Sequence, residues 1–111
     1  MLEFNYILDQ KYYMSINEKL KSYPKEYDLS DLHIKSSQPM AIRVGGDIKV
    51  FENDIISRQD IESFWKSVLD KSQYDYLISN GDLDFAVVVE GQRFRANGYY
   101  SSYGPSMVLR K

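Results

Sequence analysis

Apolar and polar positions alternate over two stretches of this chain, and between them the period lengthens to that of a helix. In residues 31–36, Leu32 and Ile34 fall on one side and His33 and Lys35 on the other, the mark of a half-buried strand. Ser36 to Pro39 is a turn cluster. Over 40–52, Ile42, Val44, Ile48 and Val50 flank Gly45-Gly46, which supplies the positive φ angles of a two-residue hairpin. Residues 57–70 then place Ile61, Phe64, Trp65, Val68 and Leu69 in one helical stripe, opened by Ser57 with Asp60 as a capping-box-like pair. A shorter helix is predicted over 72–79, starting at Ser72 with Asp75 in its first turn, Tyr76 and Leu77 facing inward, and Asn80-Gly81 as its stop.

The second alternating stretch is a hairpin of 83–90 and 93–100, with Gly91-Gln92 read as a type II′ turn. That turn sets Glu90 opposite Arg93, Val89 opposite Phe94, Val88 opposite Arg95 and Phe85 opposite the bare Gly98. Tyr103-Gly104-Pro105 turns the chain into a last strand, 107–110. Ahead of all this, residues 1–27 read as a helical N-terminal extension, with Asn5 as a cap and Pro24 as the end of any helix. Helix, three strands, two helices, three strands predicts an α+β domain over 28–111. The expected plan is PAS-like: an antiparallel sheet of about six strands with helices packed on one face.

Composition narrows the chemistry. The 111 residues suit one domain with a real core. The absence of cysteine removes thiol nucleophiles, thiolate metal sites and disulfides, and one histidine leaves no basis for a His-built metal site. A net charge of −2 gives no overall cationic field for nucleic acid. No signal peptide or membrane-length apolar run is present.

Within that frame the arginines stand out. On strand 93–100, Arg93, Arg95 and Asn97 share one face, and Arg110 falls on the polar face of the last strand if Met107 and Leu109 point inward. Arginine, unlike lysine, offers planar bidentate contact to carboxylate or phosphate. Arg93 is expected to pair with Glu90. Asp31 and His33, two apart on one strand beside Ser30, lack the nucleophile elbow and oxyanion loop of a hydrolase. Gly45-Gly46 joins two strands and opens no helix, so it is no dinucleotide fingerprint. Asp84 is read as structural or as the partner of a neighbour, and Tyr99, Tyr100 and Tyr103 as interface aromatics.

Four segments in order carry a family likeness: Leu29-Ser30-Asp31-Leu32-His33-Ile34, then Pro39-Met40-Ala41-Ile42-Arg43-Val44-Gly45-Gly46-Asp47, and later Asp84-Phe85 and Arg93-Phe94-Arg95-Ala96-Asn97. Over residues 28–111 the chain resembles the N-terminal domain of the PilT-type ATPases, the hexameric motors of type IV pili and type II secretion. Gly45 stands where that family commonly has an acidic residue. The resemblance implies a domain that moves against its own or a neighbouring subunit's C-terminal ATPase domain and lends arginines to the nucleotide phosphates, Arg95 first and Arg110 second. Arg93, Asn97, Tyr99, Tyr100, Asp31 and His33 would then serve domain contacts. The intact parent is expected to be a cytoplasmic ATP hydrolase using ATP and Mg²⁺. It would work as a homohexamer against an inner-membrane platform protein of a pilus or secretion machine. No G-x-x-x-x-G-K-[ST] loop occurs in these residues, so the chain alone is expected to turn over no ATP and to hold no metal. A different class of function, a free-standing PAS-like sensory or adaptor domain, is the alternative the same fold allows.

Overall fold

The computed structural model describes residues 15–111; the expected cap at Asn5 lies outside them. The first element is helix α1, Ile16–Glu26, capped by Ser15, whose hydroxyl accepts from the Glu18 amide at 3.2 Å. Ile16, Leu20 and Tyr23, at i, i+4 and i+7, are its buried stripe. Pro24 was expected to end a helix and instead sits in its last turn. The restriction proline places on its predecessor falls on Tyr23, and that residue is held from outside. Its ring meets Phe51 at 4.8 Å and its hydroxyl donates to Asp54.

Strands β1 (Leu29–Lys35), β2 (Pro39–Val44) and β3 (Asp47–Ile55) follow as a meander. Val44 pairs with Asp47, so Gly45 and Gly46, with φ of 58° and 88°, form the expected two-residue turn. Helix α2, Arg58–Val68, is capped by Ser57, which accepts from the Asp60 amide, and it buries Ile61, Phe64 and Trp65. Helix α3, Lys71–Asn80, starts earlier than predicted. Its cap is Asp70, in a reciprocal capping box with Gln73, while Asp75 pairs with Lys71 at 2.7 Å. Tyr76 points to solvent rather than inward; Leu77 and the half-buried Tyr74, one turn apart, face the core. Gly81 closes the helix in the left-handed region, as expected of Asn80-Gly81.

Strands β4 (Asp82–Val89), β5 (Gln92–Ser101) and β6 (Gly104–Arg110) complete one antiparallel sheet of six strands in the order β3-β2-β1-β6-β5-β4. The α+β, PAS-like expectation holds: the first strand lies beside the last, and α2 and α3 carry the chain from one sheet edge to the other. Leu32, Ile34, Met40, Ile42, Phe94, Met107 and Leu109 are buried on the face that the helices cover.

The β4–β5 turn falls one residue earlier than predicted, which moves every cross-strand partner by two. Val89 pairs with Gln92, so the turn is Glu90-Gly91, with φ of 49° and 79°, the type I′ signature. Val88 therefore faces Arg93, Ala86 faces Arg95, and Leu83 rather than Phe85 faces Gly98. Gly98 is covered by Trp65 from above: a Cβ there would stand 3.0 Å from the indole. Glu90, freed from Arg93, reaches Lys25 at 3.1 Å instead.

Candidate functional site

Among the described residues no element covers the other face of the sheet, and the pairings lay two rows of side chains across it. One row runs Ile48, Arg43, Asp31, Arg110, Arg95, Ala86; the next runs Val50, Ala41, His33, Val108, Asn97, Asp84. Each position follows from strand alternation: Leu32, Ile34, Ile42, Phe94 and Leu109 turn inward, so their neighbours turn out. Between Leu29 and Asp31 the β1–β2 register shifts, a bulge that makes room for Ser30.

Asp31 is the junction of the first row. Its side chain is only 16% exposed; Oδ1 lies 3.3 Å from Arg110 Nε and Oδ2 lies 3.5 Å from Arg43 Nε. The Ser30 hydroxyl donates to Oδ2 at 3.0 Å, and an Arg43 terminal nitrogen donates to the Gly46 carbonyl at 3.1 Å. Arg95 stands directly across from Arg110 and has no acidic partner within 4.0 Å among the described residues. Three guanidiniums against one carboxylate make this strip cationic on a chain whose net charge is −2.

Two shallow concavities open on this face. The larger, about 390 Å³, is lined by Arg95, Arg110, Asn97, Asp84, His33 and Val108, with Phe85 and Ala96 at its margin. Asn97 donates to Asp84 at 2.9 Å, so that carboxylate is engaged by an amide rather than by a basic neighbour. The smaller, about 320 Å³, lies between His33, Lys35, Ala41, Ile48, Val50 and Tyr103. His33 separates the two. Burial lowers its pKa from 6.5, against an upward pull from Asp31, so the ring is neutral at pH 7. Its Nε2 is buried with no hydrogen-bond partner among the described residues.

Of the residues singled out in the sequence, Arg95, Arg110, Asn97, Asp31 and His33 come together here. Arg93 lies further along β5, beside Val88, and Tyr99 further the other way, beside Ser106. Tyr100 is on the helix side, edge-on to Trp65 at 5.8 Å, so it does not share a surface with the arginines. Arg43 was missed as a member of the row. The signal was available: Ile42 and Val44 inward put Arg43 outward, on the face of Asp31. Among the described residues no group of acidic and histidine side chains is placed to hold a metal, and no helix is long and apolar enough to cross a membrane.

The fold resembles that of the N-terminal domain of the PilT-type secretion ATPases, and the solved structures it matches bear that resemblance out. The chain is similar to the pilus retraction motor PilT, seen in a crystal structure with bound ADP: TM-score 0.75 and 28% identity, covering 88% of this chain and 29% of that one. It shares its fold with the ATPase DotB of Legionella pneumophila, at TM-score 0.69 and 17% identity over 90% of this chain and 30% of that one. In Escherichia coli K12, the uncharacterized protein YggR is 33% identical over 94 residues, 84% of this chain and 28% of YggR. No protein-family model matches. The chain thus spans less than a third of the length of each of these relatives.

Proposed function

We propose that this domain is the front part of a pilus or secretion motor and lends Arg95 and Arg110 to the phosphates of ATP held by an ATPase domain. The single observation that carries the reading is the pair itself. Two arginines face each other across β5 and β6 on an uncovered sheet face, and Arg95 has no acidic partner among the described residues. Like charges set directly opposite on a sheet are destabilising, so an anion arriving between them would relieve a standing repulsion. In phosphoryl transfer, guanidinium charge offsets the charge that develops on the transferred group.

In this reading the phosphates and Mg²⁺ are held by the C-terminal ATPase domain of the same or a neighbouring subunit, within a ring of six. The present domain swings against that partner as nucleotide binds and leaves. The membrane platform protein and the cytoplasmic setting at the inner membrane belong to the same proposal. The likeness to PilT supports it, and so does the sheet face that no described element covers.

The test is the reading frame that encodes the chain. A G-x-x-x-x-G-K-[ST] loop between a strand and a helix, downstream of Lys111, is expected. A frame without one would rule out the motor and return the open face to a sensory or adaptor role.

A further inference from the structure

We infer that Asp31 is a positioning residue for the arginine site, a two-armed carboxylate that fixes Arg43, tethers Arg110 by one nitrogen and leaves Arg95 as the free guanidinium. The inference rests on the proposed phosphate role of this face and adds a division of labour within it.

Each oxygen of Asp31 serves one arginine, Oδ1 to Arg110 and Oδ2 to Arg43. The bulge at Ser30 adds a hydroxyl on Oδ2, which holds the carboxylate's orientation. The three arginines are then bound to different degrees. Arg43 is held by a hydrogen bond to the Gly46 carbonyl and by its ion pair with Asp31. Arg110 is drawn to Asp31 as an ion pair, its Nε 3.3 Å from Oδ1, and its terminal N–H groups, four of its five donors, have no hydrogen-bond partner among the described residues and stay available to an anion. Its side chain is 72% exposed, whereas Asp31 is 16% exposed. A freely moving surface arginine would spend side-chain entropy on each encounter with a phosphate. One drawn to a carboxylate has already lost part of it. Asp31 also offsets the repulsion between Arg110 and Arg95, which face each other directly.

The test has two arms. In the 111-residue protein, the exchange rate of each arginine Nε–H is read by ¹⁵N NMR. Arg43 and Arg110 are expected to exchange more slowly than Arg93 and Arg95. Asp31→Asn should raise the Arg110 rate about fivefold, and Asp31→Glu, which keeps the charge, should restore part of the protection. In the full-length product of the reading frame, Asp31→Asn should lower kcat about tenfold with KM for ATP little changed, the pattern of a lost transition-state contact. Arg95→Ala is run beside it. Arg110 exchange that ignores Asp31→Asn overturns the tether. Wild-type kcat in Asp31→Asn, while Arg95→Ala is slow, overturns the positioning role and leaves the arginine reading intact. Wild-type kcat in both variants sinks the arginine reading, and this inference with it.

Discussion

Gly98→Ala tests how closely strand β5, which carries Arg95 and Asn97, is pressed beneath α2. The added Cβ would stand 3.0 Å from Trp65 Cζ2, 3.1 Å from Cε2 and 3.2 Å from Nε1. The indole is fully buried and rests edge-on against Tyr100 at 5.8 Å, so the ring has little room to retreat. Gly98 is not among the glycines at positive φ, so its backbone would accept alanine, and reduced freedom in the unfolded chain would contribute about 0.4–1 kcal/mol in favour of the variant. Overpacking a rigid core costs about 1–3 kcal/mol. The clash wins, for a net loss of about 1–2 kcal/mol, at roughly 4–8 °C in Tm per kcal/mol for a domain near this size. Urea unfolding followed by far-UV circular dichroism reads it, with the slope m unchanged. The atoms that clash belong to the fused ring system, so in a Trp65→Phe background the cost of Gly98→Ala should largely vanish. A Gly98→Ala protein as stable as wild type, or an undiminished cost beside Phe, would refute the packing argument.

Other outcomes follow from the same physics. Gly91 has φ of 79° and open space around it, so Gly91→Ala should cost about 1–2 kcal/mol through backbone strain alone and Gly91→Asn clearly less, read as shifts of the urea midpoint. The Lys19 ammonium is buried, and its acidic partner is Asp54 at 3.4 Å, so Asp54→Ala should destabilise by about 2–4 kcal/mol, again in urea. His33 has a folded pKa held below 6.5, so below that pH the unfolded chain binds the extra proton first. Its contribution is therefore fully present above pH 6.5 and is lost as pH falls; His33→Gln should flatten stability against pH between about 5 and 7, and an unaltered slope would contradict the assignment.

The faces of the sheet were legible in the sequence even where its register was not. The predicted β4–β5 turn was one residue late because glycine was placed first in the turn. The chain instead puts Glu90, a residue that rarely adopts positive φ, at 49°, and glycine second. A slip of the turn by one residue moves each cross-strand partner by two, which preserves parity. Arg93, Arg95 and Asn97 therefore stayed on the open face, and Phe94 and Ala96 on the core face. Gly98 was recognised as needing an aromatic cover, but the cover comes from Trp65 on a helix, a contact between layers that no local pattern records. Pro24 and Tyr76 failed for a related reason. Tertiary contacts of Tyr23 carry α1 past the proline, and Tyr76 turns outward because Tyr74 and Leu77 take the core-facing side of α3. The meeting of Arg43, Asp31 and Arg110 depends on the spatial order β2-β1-β6, and strand order is not written in any one segment.

The central claim, that this face serves a nucleotide through Arg95, is tested most directly by steady-state ATP turnover of the full-length reading-frame product with Arg95→Ala, the fold checked by circular dichroism. The account predicts a native spectrum with kcat lowered about a thousandfold, the lower range for loss of an arginine finger. Wild-type turnover from a correctly folded Arg95→Ala protein would contradict it.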